Sequence, residues 1–190
     1  MPWPEELERV LLTQKQLEDK IAELAAQIYR DYANKNPVLI GILTGAIVFM
    51  ADLIRALPMD LSIDFISVSS YEDATTHSGR VRVLKDCSHD IRGRHVLIVE
   101  DIVDTGLTLQ HLRHILQDRQ PASLRLCCLL DKPSRRRTNV TADYLGFEVP
   151  DEFVVGYGLD YAEKYRNLPY VGVLKEDAYR KTCGVNSRGA

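Results

Sequence analysis

The stretch His95-Val96-Leu97-Ile98-Val99-Glu100-Asp101-Ile102-Val103-Asp104-Thr105-Gly106-Leu107-Thr108-Leu109 limits what this chain can become more than any other. It opens as an unbroken apolar run, the pattern of a strand buried on both faces of a parallel sheet. Two adjacent carboxylates, Glu100 and Asp101, fall where such a strand ends, and a third, Asp104, follows. Thr105-Gly106-Leu107-Thr108 then leads into a helix. Gly106 lets the turn take positive φ, so that successive backbone N–H groups converge on one point. The start of the helix after Thr108 adds unpaired N–H groups and the positive end of its dipole. The stretch reads as a seat for a phosphate beside three acids that can hold hydroxyls, a metal or a proton. For a lone Asp-Thr-Gly, a solvated β–α turn capped by Thr108 would be the better reading. The whole ordered string argues against that here.

The rest of the chain supplies a sheet for this strand. Thr13 predicts an N-cap for a helix from Gln14 to Ala33, with Leu17, Ile21, Leu24, Ala25, Ile28 and Tyr32 on one face. Asn36-Pro37 ends it, and Val38 to Leu43 reads as a central strand. Thr44-Gly45-Ala46 turns into a second apolar helix, Ile47 to Leu57, closed by Pro58. Leu61 to Ser70 alternates as a strand, with Leu61, Ile63 and Phe65 on one face and Ser62, Asp64 and Ile66 on the other. The polar segment from Ser69 to Gly79 has no periodicity, and it reads either as a hairpin tip or as a lid. Val81 to Leu84 returns as a strand and Asp90 to Arg94 turns into the central motif. Leu109 to Gln117 continues as a helix, and Leu124 to Leu130, Tyr144 to Val149 and Tyr170 to Leu174 read as further strands, with a frayed tail from Lys181. Strands and helices alternating in this way imply a parallel sheet with helices on both faces. Ligands of such sheets bind at the carboxyl ends of the strands. Leu43-Thr44-Gly45, Glu100 to Thr108 and Asp131-Lys132 therefore gather at one edge.

Composition narrows the function. The chain has 190 residues, is 45% hydrophobic and carries a net charge of −3, which suits one globular domain and argues against a broad nucleic-acid surface. Arg135-Arg136-Arg137 is too small a footprint to change that, and it reads as a solvated basic loop or subunit contact. Cys87, Cys127, Cys128 and Cys183 show no zinc spacing, and Cys127 and Cys128 suit buried strand positions. The acidic opening Met1 to Glu6 lacks a signal-peptide core, and no apolar run spans a bilayer, so the cytoplasm is the expected compartment.

Taken together, the ordered motifs from Val38 to Leu174 resemble those of the hypoxanthine-guanine phosphoribosyltransferases. They are Leu43-Thr44-Gly45, Ser70-Tyr71, the Glu100 to Thr108 loop, Asp131-Lys132, and Phe153 to Tyr157 with Asp160 and Arg166. The resemblance implies an α/β type I phosphoribosyltransferase fold: a mostly parallel central sheet flanked by helices, under a small hood. One domain, 1–190, would have its core at about 36–150 and its hood from about 1–15 and 151–190. It implies purine salvage, in which the phosphoribosyl group of phosphoribosyl pyrophosphate (PRPP) passes to hypoxanthine or guanine, giving IMP or GMP and pyrophosphate with Mg2+.

The residue roles implied are specific. Thr105, Gly106, Leu107 and Thr108 would cradle the 5′-phosphate by their backbone N–H groups, and Leu43, Thr44, Gly45 and Arg166 would meet the pyrophosphate. Glu100 and Asp101 would take the ribose hydroxyls and lie near magnesium, with Asp160 at a second magnesium. Asp104 would be the general base at N7 of the purine. Lys132 would donate to the O6 carbonyl, Phe153 would stack on the purine, and the Val154 backbone and Asp160 would complete the base pocket. Ser70 and Tyr71 would belong to the lid. A cis peptide is implied between Leu43 and Thr44, where Thr44 stands in place of the basic residue of many members. A homodimer or homotetramer is implied. A xanthine-preferring enzyme and an RNA-binding regulator on this fold stay open, while Lys132 and Phe153 disfavour a pyrimidine substrate.

Overall fold

The computed structural model describes residues 4–70 and 81–183. In chain order its elements begin with β1 (Leu7–Leu12), α1 (Gln14–Tyr32), β2 (Val38–Leu43), α2 (Ile47–Ala56), β3 (Ser62–Ser70) and β4 (Val81–Lys85). There follow β5 (His95–Val103), α3 (Leu107–Gln117), β6 (Ser123–Asp131), a 3-10 turn (Pro133–Arg135), β7 (Tyr144–Glu148), β8 (Val154–Val155), β9 (Val171–Leu174) and α4 (Glu176–Cys183).

Six strands form the main sheet in the order β4-β3-β2-β5-β6-β7. β3, β2, β5, β6 and β7 run parallel, and β4 turns back antiparallel at the edge. The inner strands are apolar because both faces are covered. Leu97 and Val99 of β5 pack with Leu39 of β2 and with the α1–α2 layer, including Leu24, Ile28, Phe49 and Leu53. Their neighbours Val96 and Ile98 face Leu112 and Leu116 of α3. Helix α1 starts on a capping box, in which the Thr13 hydroxyl accepts from Gln16 N–H and the Gln16 side chain accepts from Thr13 N–H. Its six predicted face residues are the ones it buries. Among the described residues, no helix is long and apolar enough to cross a membrane.

A second sheet, β1-β9-β8, is antiparallel and joins the two ends of the chain. β1 pairs with β9 from Leu7↔Leu174 to Leu12↔Val171. The sequence reading has neither this strand nor α4. Only Leu7 and Leu12 of β1 are buried, so its pattern is weak, and the partner that makes it a strand is distant in the chain. α4 has only eight residues and carries the tail as helix to Cys183, where fraying from Lys181 was expected.

Two further differences matter nearer the site. Helix α3 begins at Leu107 instead of after Thr108, because Gly106 itself caps it in the left-handed conformation at φ 79°. In β3 the alternation holds, yet Ile63 is exposed and Asp64 is among the buried members of the other face. Ser70 ends β3 opposite Val81 of β4, and Tyr71 and the rest of the expected lid lie outside the described residues.

Asp64 is buried because the turn after β4 folds over it. Its Oδ2 accepts from Ser88 N–H at 2.6 Å and His89 N–H at 2.9 Å, with His89 Nδ1 at 2.8 Å. Its Oδ1 accepts from Phe65 N–H at 2.8 Å. Burial alone would raise the carboxyl's pKa, and these donors outweigh it and bring it down to about 2. A carboxyl held lower in the folded state stabilises above its unfolded pKa, and that stability fades as the pH falls towards the folded value. Asp64→Asn should therefore cost about 1–3 kcal/mol at neutral pH, measured by urea denaturation. The difference from the parent should shrink between about pH 4 and pH 2.

Candidate active site

Three parallel strands end side by side at one edge of the main sheet, and the chain leaves each of them through polar residues. The Leu43–Thr44 peptide at the end of β2 is cis, as the resemblance implies. Next to it, Gly45 faces the end of β5 so closely that a Cβ would lie 1.8 Å from Asp101 Oδ2. No side chain fits there while the carboxylate does. At the head of α3, a Cβ on Gly106 would come within 2.4 Å of Thr138 Oγ1, in addition to the positive φ. The first N–H groups of α3 have no carbonyl one turn earlier to receive them and point outwards, as an anion seat requires.

Two adjoining hollows open at this edge. One, of about 260 Å³, is lined by Leu43, Glu100, Thr105, Gly106 and Thr108, among others. The other, of about 400 Å³, is lined by Thr44, Gly45, Asp101, Lys132, Phe153, Val154, Asp160 and Arg166, with Leu159. Ile102 and Asp104 line both. A larger hollow of about 610 Å³ lies apart from these, between α1, α2 and the 157–169 segment, and its walls are mainly apolar. Converging polar groups mark the paired hollows as the site, where size alone would not.

Electrostatics separates the acids. Glu100 and Asp101, neighbours within β5, point to opposite faces of the sheet, Glu100 lining one hollow and Asp101 the other. Burial pushes the Glu100 carboxyl well above its usual range, helped by the neighbouring Asp101 charge. Glu100 Oε2 has no hydrogen-bond partner. Asp101 is raised to about 6, mainly by burial, against hydrogen bonding from Ile102 N–H and the Arg166 charge. Asp160 Oδ1 pairs with Arg166 Nη2 at 2.8 Å, and Arg166 Nη1 donates to the Gly158 carbonyl at 2.8 Å. Asp104 Oδ1 is 2.6 Å from Arg135 Nε.

The far wall is built for a flat, polar-edged ligand. Lys132 is only 8% exposed, and its Nζ donates to the Glu152 carbonyl at 2.8 Å. Burial lowers its pKa, while Asp104 and Asp151 pull the other way. Phe153 is 36% exposed and stacks on Tyr179 of α4 at 5.0 Å, with Tyr161 edge-on at 5.3 Å. Neither tyrosine lines the hollow, so both lie behind the ring that does.

Most of the residues expected from sequence thus meet at one place. Leu107 is the exception in the loop: it opens α3 with an exposed side chain, and its backbone N–H donates to Thr105 Oγ1 at 3.4 Å. Ser70 is placed as the last residue of β3, and Tyr71 is outside the described residues. The reading of Arg135-Arg136-Arg137 as a solvated loop holds for Arg135 and Arg137, which are exposed, and is corrected at Arg136. Arg136 is mostly buried, pairs with Asp131 and donates to the Val140 carbonyl, while the exposed Arg135 still forms an ion pair with Asp104. Ile102, on both hollows, is missed by sequence because an apolar residue after a buried strand looks like more core.

Comparison with known proteins agrees with this geometry. A family model described as phosphoribosyl transferase domain matches residues 10–162. Hypoxanthine-guanine phosphoribosyltransferase of Streptococcus pneumoniae is 49% identical over 174 residues, covering 92% of this chain and 97% of the relative. The chain belongs to the hypoxanthine-guanine phosphoribosyltransferase family. The Bacillus subtilis enzyme of that name is also 49% identical over 174 residues, at the same coverage of both chains. A crystal structure of a Staphylococcus aureus hypoxanthine phosphoribosyltransferase superposes with a TM-score of 0.89, at 49% identity, covering 92% of this chain and 95% of that one.

Gly45 offers a direct test of the site's packing. Gly45→Ala should displace the Asp101 carboxylate, cost about 1–3 kcal/mol on urea denaturation and lower phosphoribosyl transfer more than tenfold. An alanine enzyme of parental stability and turnover would show that Asp101 does not depend on the empty space.

Proposed function

We propose that this enzyme transfers the phosphoribosyl group of PRPP to hypoxanthine or guanine, releasing pyrophosphate. The observation that carries this reading is the position of Asp104 on the wall common to both hollows. One hollow has the anion seat and the other has the flat wall with a buried ammonium, so a bond made between their ligands forms beside Asp104.

The 5′-phosphate would sit on the N–H groups of Thr105 to Thr108, fixed donors that need no rearrangement as charge develops. Glu100 and Asp101 would accept from the ribose hydroxyls. Such contacts favour the ionised acids, and each carboxyl is held back from ionising mainly by burial, with a neighbouring acid adding to it. Arg166, beside Thr44 and Gly45, would meet the pyrophosphate as it leaves. Thr44 brings no positive side chain, which leaves the backbone of the Leu43–Gly45 turn and Arg166 to hold that charge.

Magnesium fits the donors present. Glu100 with its unpartnered oxygen, Asp101 and Asp160 offer only hard oxygen atoms. When bound, the ion would supply positive charge against the pyrophosphate.

The purine would lie between Ile102 and Phe153. Lys132 Nζ, already fixed by one hydrogen bond, has further donors for a carbonyl at position 6 and none of the acceptors that adenine's amine would need. Leaving a buried donor unmatched costs about 1–3 kcal/mol. Asp104 would accept or share the N7 proton as N9 bonds to the ribose. The oxocarbenium-like state forms between two filled hollows, which exclude water from the cation.

Product formation from PRPP and Mg2+ with hypoxanthine, guanine, xanthine, adenine and uracil in turn tests the reading. Hypoxanthine or guanine should react, and adenine and uracil should not. Xanthine as the best substrate would reassign the base, and PRPP binding with no base reacting would remove the enzymatic reading. Asp104→Asn should lower turnover about 10²-fold with PRPP affinity kept. Gly106→Val, with its Cβ forced onto Thr138, should lose PRPP binding in calorimetry.

A further inference from the structure

Arg135 lines neither hollow, so it does not meet a substrate directly. Its guanidinium nevertheless touches the acid at the centre of the site. Nε lies 2.6 Å from Asp104 Oδ1, and Nη1 lies 3.3 Å from Asp151 Oδ1. These acids belong to opposite walls. Asp104 is on the β5–α3 loop. Asp151 immediately precedes Glu152, whose carbonyl holds Lys132, and Phe153, whose ring faces the hollow.

The turn that carries Arg135 is itself fastened to both walls. Arg135 N–H donates to the Lys132 carbonyl at 3.1 Å, and Arg137 N–H donates to the Thr105 carbonyl at 2.9 Å. Lys132 N–H in turn donates to the Val103 carbonyl at 2.9 Å. Asp104 Oδ1 accepts no hydrogen bond at that distance, so this contact is one of charge, while Nη1 donates to Asp151 Oδ1; a cation at this point holds both carboxylates by their charge. The groups around Asp104 include Lys132 and Arg135 from the turn after β6, with Asp101, Asp160 and Arg166 lining the same cleft. Of the cations, Arg135 is the one in contact with the Asp104 carboxylate.

We propose that Arg135 is a positioning residue for this reaction, fixing the Asp104 carboxylate towards the purine and tying it to the segment that bears Phe153. The inference rests on Asp104 taking the purine proton. It assigns different tasks to three consecutive arginines: Arg136 serves Asp131 and the Val140 carbonyl, and Arg137 contributes its backbone.

A mutant cycle on the full chain separates positioning from a plain surface ion pair. The variants are Arg135→Gln, Arg135→Lys, Arg137→Gln, Asp104→Asn and the Arg135→Gln/Asp104→Asn double, assayed with PRPP, Mg2+ and hypoxanthine. Arg135→Gln should lower kcat about tenfold and leave the KM for PRPP and the thermal midpoint near parental, since a positioned charge acts on the step and not on the fold. Arg135→Lys should recover most of the loss, and Arg137→Gln should match the parent. In the Asp104→Asn background, Arg135→Gln should cost nothing further, because its target is gone.

Parental kcat in Arg135→Gln, an equal loss in both backgrounds, or a loss confined to KM or stability would overturn the inference. If Asp104→Asn itself turns over at the parental rate, the general-base reading fails and takes this one with it. If Asp104→Asn is slow while Arg135→Gln is normal, only the role of Arg135 is lost.

Discussion

Strand β5 is hydrogen-bonded to a parallel neighbour on each side and covered by helices on both faces. A strand so enclosed has no free edge, and its register is set twice over. Everything chemical in the molecule hangs from its carboxyl end. Because side chains alternate, consecutive acids there point to opposite faces, so Glu100 serves one hollow and Asp101 the other. A slip of one residue would exchange them, and the buried apolar pairs below forbid it.

The same rigidity explains why the acids can be kept uncomfortable. Glu100 and Asp101 are desolvated without a full set of partners, an arrangement that destabilises a fold and persists only where the surroundings are over-determined. Gly45 and Gly106 show how close that packing is: each leaves room for a neighbour's polar atom where a methyl group would stand. Under the proposed function, hydroxyls, phosphates and a hard cation would relieve the discomfort, so part of the site's affinity would already be present in the protein as unmet demand. Asp64, at the far side of the sheet, shows the opposite solution, a buried acid fully supplied with donors and held near pKa 2.

The large sheet and the phosphate end of the site were legible because they are local. An apolar run, two acids and a glycine turn lie within fifteen consecutive positions, His95 to Leu109. The cap on α1 and its buried stripe were legible for the same reason. What sequence did not reveal depends on contacts between distant segments. β1 becomes a strand only against β9, and Tyr179 backs Phe153 only when α4 folds onto that ring. Arg135 looked like unpaired charge until the chain brought Asp104 and Asp151 to either side of it. Asp64 looked like the polar half of an alternating strand because its donors come from Ser88 and His89, across the turn that follows β4.

The small sheet has a bearing on how the molecule is made. β1 precedes every strand of the main sheet, yet its partner spans residues 171–174, and β8 needs that same strand. On the ribosome, β2, β5 and α3, which carry the Gly106 end of the cleft, can assemble while translation continues. β1 has no strand to pair with until β9 has been released from the exit tunnel. Phe153 immediately precedes β8 and Val154 opens it, so the wall they make is completed only when β9 arrives, and a chain stopped short of β9 would leave the Gly106 end of the cleft without its facing wall.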